Sequence, residues 1–261
     1  MQELEFLILG AGWTSTFLIP LLRTHQLSYA ATTRDGRTVA GSKTIQWTFN
    51  PDENEDSHSQ FSNLPLAKYV LITFPLTSAQ QSKTLVNGYL KTHDKTPNPA
   101  NFIQLGSAGI WQIPQKTLWV SRRSSYDTKN ARAIAEDEIL SSGGCVLNLA
   151  GLWGGIRDPK TWVGRVAKTK EDVKSKKSLH MVHGLDVARA IVAVTSDWDV
   201  KGSSDGDAVA AEPSEQAKWA FELMREEKTW ALPRSMLALG RCYFGSEFWD
   251  TFGLVPLKAR I

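Results

Sequence analysis

The chain predicts an α/β fold on a doubly wound parallel sheet, and three observations carry that prediction. Short apolar runs alternate with stretches of helical periodicity along most of the 261 residues. The first apolar run, Leu4 to Leu9, ends directly in a glycine-rich turn, Gly10-Ala-Gly12-Trp-Thr-Ser15. Helical spacing begins at once after the turn. This strand–turn–helix order is the context in which such glycines cradle a dinucleotide, so the sheet is expected to be Rossmann-like.

The elements follow in order. Leu4–Leu9 reads as the first strand, and Trp13–His25 as a helix with Phe17, Leu18, Leu21 and Leu22 on one side. Pro20 weakens or kinks that helix. Residues 27–33 and 44–49 read as strands. Residues 50–62 hold Asp52, Glu53, Glu55 and Asp56 and read as a solvated surface segment, not a metal site. A strand is expected over 68–74, a helix over 77–93, a strand over 101–105, a helix over 131–140 and a strand over 145–150. Lys168 to Lys177, with five lysines, reads as a solvated helix end. A short strand over 179–182 and an amphipathic helix over 186–194 follow. Residues 199–213, rich in Gly, Ser, Asp and Ala, read as a loop, and 214–225 as a helix. The aromatic end, Tyr243, Phe244, Phe248, Trp249 and Phe252, is expected to pack as a cap. The expected division is a dinucleotide-binding part over 1–195 and a small C-terminal, substrate-side loop and helical cap over 196–261.

Composition excludes several classes. No apolar run reaches the roughly 20 residues that span a bilayer. A net charge of +3 is too balanced to imply nucleic acid. Two cysteines, Cys145 and Cys242, are too few for a disulfide framework, and no basic leader or cleavage site precedes the first strand. A cytoplasmic protein acting on a small molecule is the expectation.

In the turn, Gly10 permits tight reversal and Gly12 leaves room for a pyrophosphate against the backbone. The free N–H groups of the helix start then face the phosphates. Ser15 stands where a third glycine is usual. At the end of the second strand, where an acid would hold a ribose hydroxyl, the chain reads Thr32-Thr33-Arg34-Asp35-Gly36-Arg37. Arg34 offers a fork for a 2′-phosphate, with Arg37 as support, so NADP(H) is favoured over NAD(H). Asp35 could serve a ribose instead, and a solvated basic turn is the bland alternative.

These features, with Leu71-Ile-Thr-Phe-Pro75, Gly106-Ser-Ala-Gly-Ile-Trp111, Leu149-Ala-Gly-Leu-Trp-Gly154 and Met181-Val-His183-Gly-Leu-Asp186-Val-Ala188, resemble the short-chain dehydrogenase/reductase superfamily. The resemblance is to its extended, atypical branch, related to NAD-dependent epimerases and dehydratases, and covers residues 4–195. It implies that Gly10, Gly12, Trp13 and Ser15 line the pyrophosphate. Thr33 and Arg34 would hold the adenosine end, with Phe74 and Pro75 beside the adenine or its ribose. Ser107 matches the serine that polarises a substrate carbonyl. His183 and Asp186 match a segment beside the substrate pocket, with Asp186 expected as a helix N-cap.

The chain departs from that family at its Tyr-x-x-x-Lys pair. Aligned on the helix at 131, Asn130 takes the tyrosine position and Ile134 the lysine position, and neither does the family's proton chemistry. Tyr126 with Lys129 is the nearest alternative, three residues apart and in a turn-like stretch before the helix; a rim tyrosine is the competing reading. Trp13, Trp111, Trp153 and Trp162 fall near predicted strand exits, where they line a pocket for a flat substrate or simply pack. His180 and His183 alternate to opposite strand faces, so no metal is expected. The expected function is an NADP(H)-dependent reductase of a small carbonyl or imine. The alternative is a non-redox isomerase or cyclase, or a nucleotide-sensing protein, on the same fold.

Overall fold

The computed structural model describes residues 3–52, 58–93, 99–112, 119–175, 180–195, 219, 222–223, 226, 242–243 and 245–257. Six parallel strands form the main sheet in the order β3-β2-β1-β4-β5-β7. They are β1 (Leu4–Leu9), β2 (Tyr29–Thr33), β3 (Ile45–Gln46), β4 (Ala67–Ile72), β5 (Asn101–Ser107) and β7 (Cys145–Leu149). This is a Rossmann-like doubly wound sheet, as the sequence predicts. The intervening helices are α1 (Ser15–Thr24), α2 (Ala79–Thr92) and α3 (Ala131–Ser141).

The layering follows from handedness. The β1-to-β2 and β4-to-β5 crossovers run in opposite directions across the sheet, so right-handed connections place α1 and α2 on opposite faces. Leu7, Leu9, Val70, Ile72 and Phe102 alternate onto one face and pack with Leu85, Val86 and Tyr89 of α2 and Ala135 and Ile139 of α3. Phe6 and Ile8 take the other face, as does Tyr69, whose hydroxyl donates to Thr195 O at 2.9 Å, the end of α6 (Gly184–Thr195). Covered on both faces, the strands read as continuous apolar runs.

Residues 50–62 are more than a solvated segment. A 3₁₀ turn over His58–Phe61 buries the Phe61 ring in the core, and Trp47 Nε1 donates to Gln60 O at 2.7 Å. β3 has two residues where a longer strand was expected. Lys170, on α5 (Lys170–Ser175), forms surface ion pairs with Glu222 at 3.2 Å and Glu226 at 2.6 Å, and Lys168 and Lys174 are exposed, in keeping with a solvated helix end.

The division at residue 195 does not describe the fold. One compact unit comprises Met1–Gln112, Ser125–Leu149 and Val187–Ser196; the other comprises Ile113–Ser124, Ala150–Asp186 and Asp197–Ile261. Long-range pairings cause the interleaving. β6 (Trp119–Val120) pairs with β10 (Cys242–Tyr243), and β8 (Gly151–Trp153) with β9 (Met181–His183). Arg122 and Arg123 both reach Glu247 in α7 (Ser246–Thr251), at 2.7 and 2.9 Å. The remaining helix of this unit is α4 (Pro159–Val166). In the aromatic end, Phe248 meets Trp249 and Phe252 edge-on or tilted. The expected loop over 199–213 lies outside the described residues, as do Phe244 and most of 214–225, where Trp219, Glu222 and Leu223 are helical. Among the described residues no helix is long and apolar enough to cross a membrane.

Gly88, in α2, shows how tightly this core is built. A Cβ there would come 2.3 Å from Phe61 Cε2. Alanine for glycine inside a helix normally stabilises by about 0.5–1 kcal/mol. Here the clash reverses the sign, and Gly88→Ala is expected to destabilise by about 1–3 kcal/mol in urea unfolding.

Candidate functional site

The glycine turn leaves β1 at the edge where β2 and β4 also end. The connections of β1's two neighbours leave in opposite directions, which opens a crevice beyond the strand ends. Gly10 has φ +85°, and a Cβ on it would lie 2.9 Å from Phe74 Cδ1 and 3.0 Å from Thr73 Oγ1. Threonines hold the turn from both sides. Gly10 N donates to Thr32 Oγ1 at 3.0 Å and Ala11 N to Thr32 O at 2.6 Å. The Thr73 hydroxyl reaches Leu9 O at 3.1 Å and also the Gly10 carbonyl. Sequence reasoning did not single out Thr32 or Thr73, although each sits at the end of a strand flanking β1.

Gly12 is different. A Cβ there would meet only Gly10 O, at 3.8 Å. The protein itself does not demand glycine at 12, and the open space above it is the cradle a pyrophosphate needs. Trp13 is half-buried, edge-on to Phe17 at 5.0 Å. Ser15 is fully buried at the first position of α1, and its hydroxyl has no hydrogen-bond partner among the described residues. Its small side chain lets the helix pack close to the sheet. The residues present therefore fit a dinucleotide.

At the end of β2, Thr33 is buried and its hydroxyl meets Thr44 Oγ1 at 2.6 Å. Arg37 Nη1 forms an exposed ion pair with Asp35 at 3.1 Å. Arg34 is exposed and makes no hydrogen bond or ion pair with any described residue. Phe74 is half-buried, with ring centroids 6.3 Å from Trp47 and 6.0 Å from Phe49; Pro75 beside it is exposed.

At the end of β5, Ser107 caps a 3₁₀ turn over Ala108–Trp111, its Oγ accepting from Gly109 N at 3.1 Å. Trp111 is buried, with its ring edge-on to Tyr126 at 6.4 Å. The Tyr126 hydroxyl donates to Asp137 Oδ1 at 2.5 Å. That hydrogen bond, with burial and the nearby carboxylates, pushes Tyr126 above the ordinary phenol range. Lys129 is exposed, and residues 126–130 are not helical, so no helical face joins Tyr126 to Lys129. Asn130 is the N-cap of α3: its side chain accepts from Arg132 N at 2.9 Å. That is the physical reason asparagine stands there.

A buried carboxylate went unnoticed in the sequence. Glu136, in α3, is 2% exposed and accepts from Ser107 N at 3.1 Å and from Asn148 Nδ2 at 2.6 Å. Burial pushes its carboxyl above the ordinary range. A signal existed, since Glu136 shares the buried helix face of Ala133 and Ile139, three residues away on either side.

In the second unit, the Trp153 ring lies edge-on to His183 at 4.7 Å, and the His183 ring fills the place a Cβ on Gly154 would take. His183 Nδ1 accepts from Leu185 N at 3.1 Å. This caps α6 and makes the neutral ring an Nε2–H tautomer. Asp186 is not the N-cap expected of it. It lies inside the first turn of α6, is buried, and accepts from Leu257 N at 2.9 Å. The Trp162 side chain lies outside the described residues. Among the described residues no cluster of three or more His, Cys, Asp or Glu is placed to hold a metal.

No family model matches the chain, and no curated protein does. Solved structures do match. A UDP-glucose 4-epimerase from Thermus thermophilus, in complex with NAD, is 13% identical, with TM-score 0.58 over 97% of this chain and 94% of its own. A short-chain dehydrogenase/reductase superfamily protein from Agrobacterium tumefaciens, with NAD bound, is 11% identical, with TM-score 0.56 over 97% and 92%. A conserved protein of unknown function from Silicibacter pomeroyi is 17% identical, with TM-score 0.60 over 97% and 93%. The chain thus shares its Rossmann-like α/β fold with these structures.

The two turn glycines should separate by experiment. Gly10→Ala combines positive φ with a clash against the Phe74 ring and the Thr73 hydroxyl and is expected to cost about 1–3 kcal/mol in chemical unfolding. Gly12→Ala meets no such obstacle and is expected to stay within about 0.5 kcal/mol of the parent in the same unfolding measurement.

Proposed function

We propose that this protein is an NADP(H)-dependent reductase of a small carbonyl or imine compound. The observation that carries the reading is the pairing of the open Gly12 cradle with an exposed, uncommitted Arg34 at the end of β2. Asp35, the residue that could have held a ribose hydroxyl, is engaged by Arg37. Arg34 is then the fork for a 2′-phosphate, and the phosphate favours it over a neutral ribose. Gly10, Gly12, Trp13 and the start of α1 hold the pyrophosphate; Thr33, Phe74 and Pro75 border the adenosine end.

Bound there, the reduced nicotinamide supplies hydride. Ser107, fixed by its turn at the end of β5, polarises the substrate oxygen. Tyr126 has its proton committed to Asp137 and Lys129 is not joined to it, so the proton comes from bound water or from the substrate. Trp111 ends the 3₁₀ turn that Ser107 caps, and within the second unit Trp153 and His183 pack edge-on against each other. The free thiols Cys145 and Cys242 suit a reducing, cytoplasmic setting, and the partner is a small molecule rather than nucleic acid or membrane.

One observation favours a second reading. With Asn130 spent on capping α3 and Tyr126 on Asp137, the site lacks an evident acid, which suits a non-redox isomerase or cyclase, or a nucleotide sensor.

Calorimetry with NADPH and NADH tests the cofactor. Arg34→Asp is expected to weaken NADPH by about 10–100-fold and to leave NADH within about threefold, since hydrogen bonds to charged groups are worth about 1.5–3 kcal/mol. NADPH oxidation with a panel of carbonyls tests the reaction. Ser107→Ala should lower turnover by roughly 10²–10³ and Tyr126→Phe by less than about threefold. Tight NADPH binding with no oxidation across the panel would move the assignment to the non-redox reading.

A further inference from the structure

The end of β5 is supported unevenly. On one side β7 stays paired to Leu149, opposite Ser107. On the other, β4 is last paired at Ile72, opposite Gln104, so Ser107 lies three residues past that support. A side-chain clamp completes the edge. Glu136 Oε1 accepts from Ser107 N at 3.1 Å, and Oε2 accepts from Asn148 Nδ2 at 2.6 Å. Asn148 Nδ2 also reaches Ser107 O at 3.4 Å, so the pair holds both the N–H and the C=O of one residue. Arg132, one turn earlier in α3, lies 3.7 Å from Glu136 Oε1 and donates from Nη2 to Leu105 O at 3.0 Å.

Gly106 fits the same device. A Cβ there would lie 2.6 Å from Asn148 Nδ2 and 2.9 Å from Glu136 Oε1, so glycine is what lets the clamp approach the strand. The carboxylate is an expensive choice for this place. An aliphatic residue at 136 would continue the apolar face of Ala133 and Ile139 with no desolvation cost. A buried acid is retained where its two charge-assisted hydrogen bonds do something packing cannot, and here they fix the backbone of Ser107.

We infer that Glu136 is a positioning residue, which with Asn148 clamps the backbone of Ser107 and so aims its hydroxyl at the substrate oxygen. The inference rests on the reading of Ser107 as the residue that polarises the carbonyl. The charged and titratable groups around Glu136 are few. Arg132 and Asp137 belong to its own helix, and Tyr126 donates to Asp137. Lys83 of α2 pairs instead with Glu138, at 3.8 Å. β5 and β7 present only Ser107 and Asn148. Because Glu136 is raised in the folded state, folded protein holds its proton to higher pH than unfolded chain does. Its contribution therefore lowers stability as pH rises from the ordinary carboxylate range through the folded value. Glu136→Gln should flatten that fall in thermal melts.

The decisive experiment compares five proteins: wild type, Glu136→Gln, Glu136→Gln with Asn148→Asp, Ser107→Ala, and Ser107→Ala with Glu136→Gln. In the Glu136→Gln, Asn148→Asp double variant the new amide donates to the new carboxylate while its oxygen still accepts from Ser107 N, so the N–H half of the clamp is rebuilt with the charge moved and only the long Asn148 contact to Ser107 O is given up. Hydrogen exchange of the Ser107 amide, followed by NMR, needs no turnover. It is expected to quicken roughly tenfold or more in Glu136→Gln and to return within about threefold in the double variant. With NADPH and para-nitrobenzaldehyde as probe, kcat should fall about tenfold or more in Glu136→Gln, with KM for NADPH within about twofold, and recover in the double variant. On a Ser107→Ala background, Glu136→Gln should have no further effect on kcat. Unchanged Ser107 amide exchange in Glu136→Gln overturns the clamp. An undiminished kcat loss on the Ser107→Ala background overturns its action through Ser107. If Ser107→Ala alone turns over the probe like wild type, the role of Ser107 falls, and the amide exchange still reports the clamp separately.

Discussion

The placement of β1 between two strands whose connections depart in opposite directions governs the rest of this structure. Phe6, Leu7, Ile8 and Leu9 are 0–1% exposed, paired to β2 on one side and β4 on the other. A strand in that position must be apolar on both faces, and its exit must turn sharply to avoid its neighbours. The sharp exit requires the positive φ at Gly10, and the divergence of the flanking connections leaves space beyond it. Thr32 and Thr73 then brace the turn from the two neighbouring strands. The buried core and the open glycine turn are therefore two consequences of one topology.

The same logic recurs at β5, with different chemistry. There the neighbouring strand stops early, and side chains from α3 and β7 supply the missing hydrogen bonds. A backbone N–H left bare at a buried strand end would be costly. Glu136 accepts from that N–H, and Asn148 donates to the carbonyl of the same residue. Two strand exits along one sheet edge are thus held rigid, one by threonines and glycine, the other by a carboxylate–amide pair.

The alternation of elements was legible in the sequence because buried parallel strands are short apolar runs and α1, α2 and α3 bury one face. The glycine turn was legible because its spacing and neighbours are local. The features that escaped are those made by distant residues. Asn130 looked like a displaced tyrosine until its side chain was seen to cap α3. Asp186 looked like a cap until its carboxylate was seen to hold Leu257. Phe61 sits in a polar segment, and only its insertion against Gly88 makes it core. Two-residue strands such as β6 and β10 have no periodicity to detect, which is why the boundary near 195 was misplaced.

That interleaving constrains how the chain can be made and taken apart. Six segments alternate between the two units, so the backbone crosses from one to the other five times. No single proteolytic cut or stop codon can separate the units, and gene fragments ending near residue 195 would strand β6 without the partner it finds at Cys242. During synthesis, Trp119 leaves the ribosome well before Cys242, and their pairing must wait for more than a hundred further residues. Such late, long-range closure slows folding relative to the locally wound sheet. The first unit can assemble most of its strands early, whereas the second matures only when the whole chain is available.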